Sequence, residues 1–134
     1  MTSYSPDAPT ITLIRGLPGS GKTTLATKLM SNDNKHYEAD MFMVDPDGNY
    51  KFDKDKLSFC HKMCQKYCES AMSRRENVII SNTFVKKWEM KTYLDMATLY
   101  GYKVEIIECK DSYPNVHGVP KETIDRMRAN WEEL

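Results

Sequence analysis

A chain of 134 residues, 40% of them hydrophobic, is long enough for one core that buries about two-thirds of the unfolded surface and leaves no length for a hidden second domain. Nineteen lysines and arginines balance 19 aspartates and glutamates, which excludes a nonspecific electrostatic grip on nucleic acid or on an anionic membrane, although not a local basic groove. No apolar run has the character of a signal or transmembrane segment, and the four cysteines are too clustered for a secreted disulfide framework, so a reduced, cytoplasmic protein with no membrane partner is expected.

Met1 to Pro9 holds two prolines and two serines without apolar periodicity. It reads as a loose tail ahead of a single domain over 10–134. Thr10-Ile11-Thr12-Leu13-Ile14-Arg15 is β-branched and apolar, the pattern of a buried parallel strand. The stretch Gly16-Leu17-Pro18-Gly19-Ser20-Gly21-Lys22-Thr23-Thr24 follows it and matches G-x-x-x-x-G-K-[ST] at every fixed position. In such a loop, backbone N–H groups point inward around a phosphate, and the helix that follows adds its positive N-terminal dipole. Lys22 is then expected to reach the β- and γ-phosphates of a nucleotide, and the Thr23 hydroxyl to ligate the accompanying Mg²⁺. The helix itself is read over Thr23 to Met30, with Leu25, Ala26 and Leu29 on one face. Strand, loop and helix therefore stand in the order that the motif requires.

The P-loop helix is expected to end near Ser31-Asn32-Asp33-Asn34. His36-Tyr37-Glu38-Ala39-Asp40 then reads as a short second strand ending in a carboxylate. Asp45-Pro46-Asp47-Gly48-Asn49-Tyr50 superficially suggests a calcium loop, but Tyr50 stands where glycine is needed and Lys56 where glutamate is needed, so calcium is rejected. Leu57 to Arg75 has the period of a long helix, with Leu57, Cys60, Cys64, Cys68, Ala71 and Met72 on its buried stripe. Cys60 and Cys68 would lie roughly 12 Å apart on that helix, too far to share one tetrahedral ion, so the cysteines read as small core residues.

Asn77-Val78-Ile79-Ile80-Ser81 is a third strand, running into the polar cluster Ser81-Asn82-Thr83. A helix over Lys86 to Tyr100 places Met90, Tyr93, Leu94 and Ala97 on one face and stops at Gly101. Val104 to Glu108 is a fourth strand. The loop Cys109 to Val119 contains Pro114, Asn115 and Gly118, and Pro120 opens a last helix with Ile124, Met127, Trp131 and Leu134 on one stripe. Strands alternating with helices imply an α/β P-loop NTPase: a three-layer α/β/α sandwich around about four parallel strands, with ligands beyond their carboxyl ends.

With the P-loop, Asp40 and the Asn82-Thr83 strand end in place, most of the chain resembles the phosphotransferase domain of phage-type polynucleotide kinases, an adenylate-kinase-like group. The resemblance continues through Asp47-Gly48-Asn49-Tyr50-Lys51-Phe52 before the helix that bears His61, through Trp88 and Tyr100-Gly101-Tyr102, and through His117-Gly118-Val119-Pro120. It implies ATP and Mg²⁺ as cofactors, and a polynucleotide 5′-end or a nucleoside-like molecule as acceptor. It implies Asp40 as the carboxylate that orients and deprotonates the acceptor hydroxyl, with Asn82 and Thr83 on the acceptor side. In-line phosphoryl transfer independently asks for charge neutralisation, a metal and one carboxylate near the incoming hydroxyl, which Lys22, Thr23 and Asp40 would supply.

Two departures stand out. Relatives carry lid arginines between the fourth strand and the last helix, where this chain has only Lys110, so Arg126 or Arg128 from the last helix would have to replace them. An ammonium does not reproduce the rigid fork of a guanidinium. Met41 and Met43 occupy positions where such kinases place another acid and an arginine. The alternative is an ATP-binding regulatory or interaction module with little turnover. The N-K-x-D pattern that specifies guanine is absent, since Asn34-Lys35-His36-Tyr37 ends in tyrosine, so adenine is expected.

Overall fold

The computed structural model describes residues 8–30, 34–111 and 118–134. Most of the expected tail, the segment Ser31 to Asp33, and Pro114, Asn115 and His117 of the last long loop lie outside the described residues. Four strands, β1 (Thr10–Arg15), β2 (Asn34–Tyr37), β3 (Asn77–Asn82) and β4 (Lys103–Glu108), form one parallel sheet in the order β2-β3-β1-β4. The helices are α1 (Lys22–Leu29), α2 (Leu57–Ser73), α3 (Lys91–Tyr100) and α4 (Lys121–Ala129), with short 3₁₀ turns at Ala39–Phe42, Lys54–Lys56 and Lys87–Met90.

The apolar runs explain the layering. Parallel strands buried on both faces need apolar residues on both faces, and β1 sends Ile11 and Leu13 one way and Ile14 the other. On the first face Ile11, Leu13, Val78 and Ile80 meet Cys64, Cys68, Ala71 and Met72 of α2 and Tyr93 and Ala97 of α3. On the second, Ile14 and Ile79 meet Ala26 and Leu25 of α1. All three cysteines of α2 are fully buried, as small hydrophobes on the helix stripe, and Gly101 ends α3 in the left-handed region at φ 72°, where a Cβ would be penalised.

The chain leaves β1 through α1 to the edge at β2, and returns from β3 through α3 to β4 on the other side of β1. That reversal opens a crevice at the carboxyl end of β1. The P-loop fills the mouth of it.

Three expectations change. The second strand ends at Tyr37, not Asp40, because the backbone turns into a 3₁₀ helix at Ala39 as Met41 N–H bonds back to the Glu38 carbonyl at 3.1 Å. Asp40 therefore sits on a turn just beyond the strand. Leu29, placed on the buried face of α1, is 41% exposed, and only Ala26 of that helix is buried. In the last helix no residue is fully buried, α4 ends before Trp131, and Leu134 is exposed. Met43, by contrast, is buried against Cys60 in a small cluster with Ala39, whereas Met41 is exposed. Among the described residues, no helix is long and apolar enough to cross a membrane.

The core makes the protein sensitive to alkali. Burial pushes the Cys68 thiol from 9.0, and the Tyr102 hydroxyl from 10.0, each up to about 12, and raises Tyr93 as well. The unfolded chain loses these protons first, so their contribution to stability is intact below the unfolded values and declines as pH climbs. Thermal melts should show a midpoint that falls progressively from about pH 9 to about pH 12. A midpoint unchanged over that window would contradict this account of the core.

Candidate active site

Gly16 opens the P-loop where side chains are not tolerated: a Cβ there would collide with the Ser20 Oγ and lie 2.8 Å from the Cys109 carbonyl oxygen. Gly19 and Gly21 have φ of 82° and 92°, a region that L side chains rarely adopt. The loop is pinned at its start by Gly16 N–H donating to the Thr83 carbonyl at 3.2 Å, and turned by Ser20 N–H donating to the Leu17 carbonyl at 3.1 Å. Leu17 and Pro18 are half-buried between these two anchors.

The Ser20 hydroxyl is buried and has no hydrogen-bond partner among the described residues. A buried hydroxyl in this condition is costly unless something else satisfies it. An orphaned donor beneath a glycine turn, with a helix N-terminus behind it, fits a phosphate group.

Lys22 begins α1 and folds its ammonium back over the loop, where Nζ donates to the Leu17 carbonyl at 3.0 Å. Burial draws its pKa below the ordinary lysine value, and the carboxylates of Glu38 and Asp40 work against that shift. A cation desolvated in this way, with two anions nearby, is prepared to exchange one backbone carbonyl for phosphate oxygens.

Thr23 is next, and it reveals a carboxylate that the motif reading passed over. Its Oγ1 donates to Glu38 Oε2 at 3.1 Å, and the same oxygen accepts from Ser81 Oγ at 2.7 Å. His36 Nε2 lies 2.7 Å from Ser81 Oγ. Since Ser81 gives its only proton to Glu38, it accepts from His36, which fixes the Nε2–H tautomer. Burial lowers the His36 pKa, opposed by the Glu38 charge. Hydroxyl and carboxylate oxygens side by side are hard ligands suited to Mg²⁺, and Thr23 and Glu38 are the residues that would hold it.

The acceptor-side expectations separate. Asp40 is half-buried in the 3₁₀ turn, near enough for its charge to act on Lys22, on the Tyr50 hydroxyl and on Cys60. Asn82 is 7% exposed. Its Oδ1 accepts from Ala39 N–H at 2.8 Å and its Nδ2 points to Cys64 Sγ at 3.9 Å. The amide thus fastens the start of the turn that carries Asp40 and acts on the site through it. Thr83 is half-buried and contributes its carbonyl to Gly16.

A cavity of about 290 Å³ lies beside the start of α1, lined among others by Gly21, Thr24, Leu25, Cys109 and Lys110. Of the three cations expected near the phosphates, Lys110 is at this cavity and lies 3.6 Å from Glu108. Arg126 donates to Thr123 and Arg128 pairs with Asp125, both within α4. The structure does not bring these two arginines among the residues that line the cavity.

Sheet order, P-loop and crossing helices define an α/β domain built around a P-loop. A family model described as an AAA domain, AAA_33, matches residues 11–116, and the chain belongs to that family. It is 33% identical over 137 residues to NEDD4-binding protein 2 of Homo sapiens, an alignment that covers 92% of this chain and 8% of that protein. Among solved structures it is similar to a chain of the Pnkp1/Rnl/Hen1 complex, with a TM-score of 0.66 and 19% identity, covering 99% of this chain and 43% of the other. It is also similar to a gluconokinase from Sinorhizobium meliloti 1021, with a TM-score of 0.64 and 15% identity, covering 94% and 77%. The chain thus spans less than half the length of the first two.

Proposed function

We propose that this chain is an ATP- and Mg²⁺-dependent kinase that transfers the γ-phosphate to a hydroxyl, with a polynucleotide 5′-end or a nucleoside-like molecule as acceptor. The observation that carries the reading is the grouping of Lys22, Thr23, Glu38 and Asp40 around one phosphate-sized turn, with both carboxylates acting on the lysine. Family membership supports nucleotide chemistry. The polynucleotide reading draws on the sequence resemblance and on the fold shared with a chain of the Pnkp1/Rnl/Hen1 RNA repair complex.

In this scheme the P-loop amides and Lys22 hold the phosphates, with the adenine and ribose toward the cavity that Thr24 and Lys110 line. Bound Mg²⁺ would supply charge neutralisation between the β- and γ-phosphates. Asp40 aligns the acceptor hydroxyl and takes its proton as the oxygen bonds to the γ-phosphorus. The bond from that phosphorus to the β–γ bridging oxygen breaks, and ADP leaves with it.

Incubation with γ-labelled ATP and 5′-hydroxyl oligonucleotides or nucleosides should label the acceptor. The Asp40→Asn variant should lose about a hundredfold in transfer rate while binding ATP normally, the scale expected when a positioned base is removed. Equal transfer by Asp40→Asn, or no transfer to any acceptor, would defeat the assignment.

A second reading, a nucleotide-binding regulatory module with little turnover, is favoured by one observation. Lys110, Arg126 and Arg128 are each engaged by a neighbour in sequence, at Glu108, Thr123 and Asp125. Tight ATP binding without transfer or hydrolysis would select that reading.

A further inference from the structure

We propose that Glu38 is the positioning residue for the metal, supplying from the end of β2 the charge that P-loop NTPases take from an acid on the strand beside the loop. The inference rests on the reading of the site as one for Mg²⁺ and a nucleotide. In P-loop enzymes the metal is held by the loop Ser or Thr and by an aspartate that ends a hydrophobic strand. Here the strand paired with β1 on the β2 side is β3, where Val78-Ile79-Ile80 gives way to Ser81, opposite Ile14 in the register. Serine carries no charge. The place of the acid is filled by a hydroxyl.

That hydroxyl is 1% exposed and donates to Glu38 Oε2 at 2.7 Å, and the same oxygen accepts from the metal-side hydroxyl of Thr23 at 3.1 Å. The carboxylate therefore arrives from one strand farther out. Parallel neighbours stand about 4.8 Å apart; the longer glutamate side chain and the serine hydroxyl bridge that offset. The Glu38 side chain is 13% exposed, and two hydroxyls, the Lys22 charge and His36 Nε2 at 3.7 Å return part of the desolvation that a carboxylate placed there costs. A hydrated divalent cation would return the remainder. Asp40 stays with the acceptor on the following turn, so the two acids divide the site between them.

The test compares ADP binding by calorimetry with Mg²⁺ and with EDTA in the full chain, which needs no phosphate transfer. Wild type should bind more tightly with Mg²⁺. Glu38→Gln keeps an acceptor for both hydroxyls but removes the charge, and should cut the ratio of ADP affinity with Mg²⁺ to that in EDTA at least about tenfold, whatever the change in the EDTA value itself. A thermal melt at the wild-type midpoint reports that the variant is folded. The exchange Glu38→Ser with Ser81→Asp returns the acid to β3, and should recover tightening to within about threefold of wild type, where Glu38→Ser alone does not. Tightening by Mg²⁺ that survives Glu38→Gln, or an exchange no better than Glu38→Ser, would overturn the proposal. A chain that binds ADP with these ratios but never transfers phosphate would defeat the kinase reading and leave the metal role of Glu38 standing.

Discussion

Lys22→Met should abolish phosphoryl transfer, lowering the rate by at least about a thousandfold, and should do so without unfolding the protein. The rate follows from charge: as phosphate charge redistributes, the P-loop contributes backbone dipoles and one full cation, and a single cationic contact of this kind in phosphoryl transfer is worth about 10³ or more. The survival of the fold follows from burial. Burial already disfavours the Lys22 ammonium, its hydrogen bond is to a carbonyl of its own loop, and the carboxylates that favour the charge belong to the site. Replacing a buried charge with an apolar side chain of similar length is often neutral or stabilising, and groups retained for function commonly work against stability. The two readouts are labelled-phosphate transfer and a thermal melt on the same preparation. Transfer within tenfold of wild type would remove Lys22 from the reaction, and a lowered melting midpoint would show that it serves the fold.

The geometry of the P-loop was legible in the sequence almost completely and that of the turn carrying Asp40 only in part, for physical reasons. Gly16 to Thr24 is a local device: its glycines, cation and hydroxyl act within one turn, so linear spacing carries their geometry. Strands β1, β3 and β4 were legible because parallel strands buried on both faces need continuous apolar runs, and α2 because its cysteines repeat at helical spacing. The four-residue strand β2 lies at the sheet edge with mixed composition, and the 3₁₀ turn that stops it is held in place by the side chain of Asn82 taking the Ala39 N–H from 43 residues away. No local pattern contains that information. Glu38 escaped notice for the same reason, since its partners Thr23 and Ser81 are 15 and 43 residues distant. The one available signal was an acid two residues before Asp40, on a strand expected to end at the site. Helix α4 misled through periodicity, because its stripe is amphipathic while the ring that contacts the body of the protein, Trp131, lies beyond its end.

That ring leads to the largest expected loss of stability, at a residue the sequence offered only as the last position of a strand. Arg15 is fully buried. Its Nε and Nη2 donate to the Phe84 carbonyl at 3.1 and 2.7 Å, and Nη2 also reaches the carbonyls of Val85 at 3.1 Å and Glu132 at 2.8 Å. Nη1 makes no hydrogen bond among the described residues but lies 3.7 Å from Glu108 Oε1, and the guanidinium carbon stacks 4.0 Å from the centre of the Trp131 ring. One side chain thus joins the end of β1 to the segment after β3, the end of β4 and the segment after α4. It also secures an unfavourable backbone, since Phe84 has φ of 46°, and residues in that region persist only where their surroundings hold them. Arg15→Met keeps the volume but takes the guanidinium donors from the carbonyls of Phe84, Val85 and Glu132, of which Val85 keeps the Glu132 N–H at 2.9 Å, and removes the buried charge that faces Glu108. Breaking a buried charged contact on one side costs about 3–5 kcal/mol, a large share of the roughly 5–15 kcal/mol that holds a typical domain together. Urea unfolding in a Trp88→Phe background, where the emission is that of Trp131, should show the midpoint falling accordingly, and the native emission shifting to the red as the ring loses its cover. Arg15→Lys should rescue little, because one ammonium cannot span carbonyls that a planar fork reaches together. A loss below about 1 kcal/mol for Arg15→Met would mean that the strand end, the Phe84 turn and the last segment hold together by apolar packing alone, and that the guanidinium is not what places the Thr83 carbonyl under the P-loop.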